Sequence, residues 1–192
     1  TSTHSGEGTV IEGKIINHGT ISGGTYSCLV ENKRGRETGE PDGSITGGTF
    51  RSTVTNTGSI SGGTFHSEVD NQGTISDGSF AGKVTNIGSI SGGTFASEVD
   101  NQGTISGGTY SETSVVKNTG TISGGTFLGT VETENGTIED SAIVSVNFVN
   151  EAGETMKTVR VLRGQRITTA DLPEFDPTQY GYKKLKCTVG NT

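Results

Sequence analysis

The chain has few of the residues from which globular cores and crosslinks are usually built. Its 192 residues include no Trp, three Pro, two Cys and one Met, and 28% of them are hydrophobic. No apolar run approaches the length that a membrane-spanning helix needs. Two cysteines are too few for a disulfide framework. The sequence therefore argues against a conventional globular core, a disulfide scaffold and a membrane span.

Positive charge is also scarce. Acidic residues outnumber Lys and Arg by 21 to 14, which gives a formal net charge of −7. The imbalance lies in residues 1–139 rather than in the last quarter of the chain. Because a nucleic acid would be repelled by such a surface, we expect no nucleic-acid partner.

Glycine is abundant, with 32 residues, and most of it belongs to one recurring phrase. The phrase is Gly-(Ser/Thr)-Ile-(Ser/Thr)-Gly-Gly-(Thr/Ser)-(Phe/Tyr), and four of the intervals between its copies are 15 residues long. Seven copies begin at Gly19, Gly43, Gly58, Gly73, Gly88, Gly103 and Gly120. An eighth, incomplete copy begins at Gly136. A unit this short cannot bury its own apolar face, so each copy must stack on the next.

Counting from the leading Gly, position 3 is Ile, position 8 is aromatic and position 12 is Val, as in Ile60, Phe65 and Val69. Apolar and polar residues alternate between positions 8 and 14, which is the period of a strand. We predict an all-β fold in which residues 1–139 form a parallel β-solenoid of about seven turns, with about 15 residues per turn. We expect the solenoid to be right-handed, as the more familiar form.

Two further columns are predicted to be structural. Position 14 is Asn from the turn of Asn17 to that of Asn118, and we interpret this column as an internal ladder of amides. Its members include Asn56, Asn71, Asn86, Asn101 and Asn118.

At the Gly-Gly corner, Asp77 replaces the first Gly of one copy. Because Asp tolerates a left-handed backbone, we predict that the first site is left-handed and that the second lacks space for a side chain.

The long first interval inserts residues 34–42 at a corner, where a loop can protrude without disturbing the core. This loop is the candidate binding segment, although a merely solvated loop stays open as the alternative. Its charged residues are Arg34, Arg36, Glu37, Glu40 and Asp42. The arginines favour ion pairing over the raised carboxyl pKa that a general acid needs.

The repeat stops after Glu139, and we assign residues 140–192 to a small β-rich module. The sequence predicts a hairpin formed by residues 143–149 and 158–162. It also predicts a short helical turn with a Thr cap over residues 168–173 and a last strand over residues 182–189. We expect this module to cap the last turn of the solenoid against edge-to-edge association.

The C-terminal segment resembles the Listeria–Bacteroides repeat, a β-grasp-like extracellular module of bacterial surface proteins. The matching residues are 144–148, Gly153, 159–161, Gly164, 172–173, Pro177 and 181–182. The family's Phe and Gly-Trp after Gly-Tyr are replaced here by Lys184, Lys186 and Cys187. The resemblance implies a secreted, cell-wall-associated or surface-displayed protein.

No catalytic constellation, cofactor motif or metal-ligand spacing occurs in the sequence. We expect a non-enzymatic, adhesin-like or structural surface protein, in which a rigid solenoid spaces or presents a surface for a host or cell-wall glycan or protein. One alternative is a polysaccharide-binding or polysaccharide-cleaving β-helix protein. Another is an ice-binding solenoid, because Ser59-Ile60-Ser61 and its counterparts form hydroxyl files that resemble the Thr-X-Thr face of insect antifreeze solenoids.

Overall fold

The structure, a computed structural model, describes residues 10–11, 13–35, 41–150, 152–174 and 186–190. Within these ranges the chain is all-β. Parallel sheets form a β-solenoid of about eight turns with roughly 15 residues per turn, which confirms the predicted solenoid. An antiparallel sheet of three strands follows it. The handedness of the solenoid and the β-grasp-like character of the last module stay predictions.

One wall of the solenoid begins with a strand that precedes the repeated phrase and continues with strands that hold the Ile and aromatic positions of the phrase. These strands are Val10–Ile11, Thr20–Ile21, Thr25–Tyr26, Ser44–Ile45, Thr49–Phe50, Ser59–Phe65, Thr74–Phe80, Ser89–Ile90, Thr94–Phe95, Thr104–Ile105, Thr109–Tyr110, Thr121–Ile122, Thr126–Phe127 and Thr137–Ile138. Each strand pairs in parallel with the equivalent strand of the next turn, so that Ile75 lies over Ile60 and Phe80 over Phe65.

The opposite wall comes from positions 12 to 14. Its strands are Lys14–Asn17, Leu29–Asn32, Val54–Asn56, Val69–Asn71, Val84–Asn86, Val99–Asn101, Val115–Asn118 and Thr130–Thr133. Val69 lies over Val54 and Asn71 lies over Asn56, so identical residues again stack on each other. Both walls turn every second side chain inward, which is why a 15-residue unit can present Ile, an aromatic ring, Val and Asn to one interior.

The first turn precedes the first Gly phrase, which explains the difference between seven predicted turns and about eight in the structure. Val10–Ile11 pairs with Thr25–Tyr26, and Lys14–Asn17 pairs with Leu29–Asn32. This turn keeps Ile15 and Asn17 at the inward positions 12 and 14 but lacks the glycine phrase. Counting the phrase alone therefore misses it.

The aromatic residues of position 8 form one continuous column in the interior. Phe65 lies between Phe50 and Phe80, with ring centroids 4.7 Å apart and planes 6° from parallel on both sides. Each of these rings is at most 1% exposed. Where Tyr replaces Phe, the hydroxyl donates to a corner carbonyl: Tyr26 to Gly23 and Tyr110 to Gly107.

The predicted roles of the two corner glycines are wrong and must be exchanged. It is the second glycine that has a left-handed backbone, with φ of 107° at Gly63 and 132° at Gly78. At the first site a Cβ would lie only 2.4 Å from the carbonyl oxygen of the previous turn, as at Gly62. Asp77 fits at this site because the strand pairing shifts in register on either side of it, and its carboxylate accepts from the N–H of Gly78.

The C-terminal segment begins with a 3-10 helix at Asp140–Ala142, and a second one spans Thr169–Asp171. The latter has Thr168 as its N-cap, as the sequence predicts. The strand Ile143–Val149 pairs antiparallel with Thr155–Leu162 on one side, which confirms the predicted hairpin, and with Lys186–Gly190 on the other.

This segment covers the end of the solenoid. The N–H of Phe127, which would donate to a further turn, donates instead to the carbonyl of Arg163 at 2.7 Å. The side-chain amide of Gln165 donates to the carbonyls of Phe127 at 3.2 Å and of Gly129 at 2.6 Å. Ala142 is fully buried in the solenoid core, and Leu162 packs against it. The main-chain groups at Phe127 and Gly129 are thus paired with the C-terminal segment, whereas Thr130–Thr133 and Thr137–Ile138 are terminal strands of their sheets.

Replacing Phe80 by Ala should lower the free energy of unfolding by about 3–5 kcal/mol, because the cavity interrupts the aromatic column on both sides. Denaturant or thermal unfolding of the purified chain measures this loss. Ile87→Ala is the control, since Ile87 follows in the same turn but is 57% exposed. Equal effects of the two substitutions would contradict the assigned core.

Gly164→Ala should detach the C-terminal segment from the last turn. Gly164 has φ of 95°, and a Cβ there would lie 2.8 Å from the main-chain N and O of Phe127. Gly153→Ala is the matched control, because Gly153 has φ of 83° with no atom near its Cβ position. We expect a lower melting temperature and more self-association by light scattering for Gly164→Ala than for Gly153→Ala. Identical behaviour of both variants would argue against capping.

Candidate functional site

The outer surface of the phrase-built wall carries three files of hydroxyl groups, which we call the hydroxyl face. It consists of the Ser and Thr side chains at positions 2, 4 and 7 of successive turns. In the middle turns these are Ser59, Ser61, Thr64, Thr74, Ser76, Ser79, Ser89, Ser91, Thr94, Thr104, Ser106 and Thr109. Because adjacent turns pair in register, each file repeats at the strand spacing of about 4.8 Å.

Hydroxyls of the position 4 file have a defined orientation. Ser76 donates to the carbonyl of Ile60 at 3.4 Å, and Ser91 donates to that of Ile75 at the same distance. A hydroxyl that donates its proton keeps lone pairs that can accept. Since these side chains are exposed, the file presents a regular row of acceptor oxygens to solvent.

The opposite wall carries paired charges on its outer surface. Glu98 lies between two lysines, 2.9 Å from Lys83 and 2.7 Å from Lys117. Hydrogen bonds from Lys117 and Lys83 lower the pKa of Glu98. Glu31 is held in the same way by Lys14 and Lys33. A carboxylate in such a setting stays ionised and is a poor proton donor.

The candidate binding loop is described only at its two ends. Arg34 is exposed, and its main-chain N–H donates to the hydroxyl of Thr57 at 2.9 Å. Asp42 accepts from the N–H of Gly35 at 2.8 Å, so its carboxylate helps to close the loop. Arg36, Glu37 and Glu40 lie outside the described residues.

The Asn residues of position 14 are placed in the interior, where each Nδ2 donates to the Oδ1 of the Asn in the next turn at 2.7 Å. The chain of bonds runs from Asn56 through Asn71, Asn86 and Asn101 to Asn118. All five side chains are at most 1% exposed. Because every inward amide is occupied by its neighbours, the column is a structural element and offers no group to a ligand.

One surface contact could not be found by reading the repeat. The insertion after Ser111 forms a tight turn in which Ser114 donates back to the Ser111 carbonyl. The turn holds Glu112 in an ion pair with Arg166 of the C-terminal segment. The 17-residue interval signals an insertion at this point, but the partner lies 54 residues away in sequence and only the fold reveals it.

The side chains that could bind a metal ion or act as a nucleophile do not form a cluster within the described residues. In the described ranges, no three His, Cys, Asp or Glu side chains come close enough together to hold a metal ion. Cys28 is a buried thiol whose pKa is raised by burial. No helix within the described segments is long and apolar enough to cross a membrane.

Comparisons with protein-family models, with curated proteins and with solved structures found no match to this chain.

Glu98→Gln should destabilise the fold near neutral pH by about 0.2–1 kcal/mol, as expected of a partly exposed ion pair. The folded-state pKa of Glu98 is lowered. The ionised carboxylate therefore stabilises the fold above its unfolded-state pKa, and this stabilisation is lost as pH falls through the folded-state pKa. The difference between wild type and variant should consequently shrink in acid.

Unfolding curves at several pH values measure this difference. Glu68→Gln is the control, because Glu68 occupies the same repeat position and, within the described part of the chain, acts on Lys83 only through its charge and without a direct ion pair. A Glu98→Gln difference that does not change with pH would show that the two lysines do not stabilise the carboxylate.

Proposed function

We propose that this chain is a non-enzymatic surface or secreted protein whose rigid solenoid presents the hydroxyl face to a glycan or protein outside the cell. The observation that carries the proposal is the unbroken in-register stacking of turns, because it turns a soft, glycine-rich sequence into a stiff rod. At about 4.8 Å per turn, the roughly eight turns span about 38 Å.

The regularity of the hydroxyl face supports contact with an extended polysaccharide. Hydroxyl oxygens repeat along the rod at the strand spacing, which is of the same order as the length of one pyranose ring. Exposed hydroxyls can exchange hydrogen bonds with sugar hydroxyls without burying an unpaired charge. The resemblance of the C-terminal segment to the Listeria–Bacteroides repeat favours the extracellular location.

The settings of the carboxylates support a role without catalysis. Glycoside cleavage needs a carboxylic acid that stays protonated beside a second carboxylate. Glu98 and Glu31 are instead held ionised by lysines, and Asp42 accepts a main-chain hydrogen bond. None of these groups is prepared to act as a general acid.

The proposal is tested by measuring binding and turnover of the purified chain on a panel of plant, host and bacterial polysaccharides. We expect saturable binding without release of reducing ends. The variant Ser61→Lys, Ser76→Lys, Ser91→Lys places three bulky cations on exposed positions of the hydroxyl face and should weaken binding at least tenfold. Thr53→Lys, Thr55→Lys, Thr85→Lys adds the same charge to the opposite wall and should bind as wild type does.

Equal loss in both triple variants would show that charge, not the hydroxyl face, governs binding. Turnover that Glu37→Gln or Glu40→Gln abolishes would contradict the non-enzymatic proposal and favour the polysaccharide-cleaving alternative. Display of the full-length protein on intact cells, detected by antibody, tests the location.

A further inference from the structure

A shallow pocket of about 410 Å³ lies where the hydroxyl face meets the C-terminal segment. Its lining includes Ser106, Ser123 and the corner Gly124-Gly125 from the solenoid, together with Ser141 and Arg163. The pocket thus combines the end of the position 4 hydroxyl file with a basic residue from outside the repeat.

Arg163 is the unusual member of this group. Of the three arginines between residues 160 and 166, Arg160 pairs with Asp140 and Arg166 pairs with Glu112. Within the described residues Arg163 has no acidic partner, although its side chain is exposed. Its main chain is fixed by the bonds that cap the last turn, since its carbonyl accepts from Phe127 and its N–H donates to Ala142. The guanidinium is therefore carried by an anchored backbone.

The lining of the pocket also includes two glycines with main-chain donors. The main-chain N–H groups of Gly124 and Gly125 make no hydrogen bond within the described part of the chain. Successive N–H groups at a turn form concavities that bind anions.

The hydroxyls of the pocket add a second kind of contact. Ser141 donates to the carbonyl of Ser123 at 2.7 Å, and Ser123 donates to that of Ile105 at 3.4 Å. Both oxygens therefore have lone pairs that can accept from a sugar hydroxyl. Ser106 and Ser123 also continue the position 4 file toward the middle of the rod. A polymer that follows this file would reach Arg163 at its end.

We propose that the pocket binds an oxyanion carried by a saccharide, with Arg163 pairing with the anion and the glycine N–H groups and serine hydroxyls holding the sugar. One guanidinium matches one negative charge, and its planar donors suit a carboxylate or a sulfate ester. A polyanion such as a nucleic acid would need several cations in place of the acidic surface seen here. The saccharide part of this inference rests on the proposed function, whereas the anion part rests on the pocket alone.

Titration calorimetry and amide NMR shifts with a galacturonate tetrasaccharide test the proposal, with the same tetrasaccharide reduced to its neutral alcohol and a sulfated galactan oligosaccharide as the other two probes. We expect at least one anionic probe to bind at least tenfold more tightly than the neutral one and to shift the amides of Gly124 and Gly125. Binding of galacturonate alone identifies a carboxylate site, and binding of the galactan alone identifies a sulfate site.

Arg163→Gln should weaken binding of the anionic probe at least tenfold. Arg166→Gln is the control, since it removes the same charge three residues away and breaks only the exposed pair with Glu112; it should change affinity less than twofold. Unchanged melting temperatures of both variants verify that the cap is intact. Arg163→Lys restores charge without the planar fork and should recover only part of the affinity.

Equal affinity for charged and neutral probes, absence of binding by both anionic probes, or an Arg163→Gln variant that binds as wild type does would each overturn the inference. If neutral polysaccharides still bind through the hydroxyl face in that case, the proposed function survives alone. If anionic probes bind through Arg163 while the hydroxyl-face variants bind normally, the pocket stands and the proposed role of the hydroxyl face fails.

Discussion

The stacking of identical side chains at a spacing of one turn is the interaction on which the rest of this structure depends. A buried amide without partners is costly, because it loses its hydrogen bonds to water. Here the cost is avoided by register: Asn86 accepts from Asn71 and donates to Asn101 at 2.7 Å. A shift of one residue in any turn would turn the Asn, Val and aromatic side chains outward together.

The ladder also has a direction, and this explains where it ends. Each Nδ2 donates toward the C-terminal end, from Asn17 to Asn118. In the last turn Thr133 replaces Asn, so Asn118 has no Asn to donate to and keeps only the bond to the main-chain carbonyl of Thr137, which is equivalent to the bond from Asn101 to the Thr121 carbonyl. At Phe127 and Gly129 the C-terminal segment takes the place of a further turn through Arg163 and Gln165, whereas Thr133 at the end of the ladder is exposed.

Insertions are tolerated where they leave this register intact. The loop of residues 34–42 departs after Asn32 has joined the ladder, and the chain is closed again by the bond from the Gly43 N–H to the Lys33 carbonyl at 2.6 Å. Asn32 bridges the loop by donating to Asn56, 24 residues further on, as it would across an ordinary turn. The insertion therefore leaves the packing of the core unchanged and alters only the surface.

The sequence could predict the solenoid, its inward positions and the C-terminal hairpin, because side-chain periodicity records which residues face the interior. The same pattern carries no information about main-chain φ, so the presence of Asp77 at the first corner site predicts a left-handed backbone there, whereas the second site, as at Gly63, has it. A count of the glycine phrase does not include the first turn, because Ile15 and Asn17 take their inward positions without that phrase. Contacts such as Arg166 with Glu112 join segments that no repeat relates.

The placement of specific recognition follows from the same symmetry. A face in which every turn repeats the last offers a ligand many equivalent positions, so it can bind a polymer but cannot fix its register. Discrimination needs a group that occurs once, and such groups enter only where the repeat is interrupted. Among the described interruptions, the junction at Arg163 adds an exposed guanidinium without an acidic partner to unpaired main-chain N–H groups. The capped end is therefore the point where a uniform rod can distinguish one ligand from another.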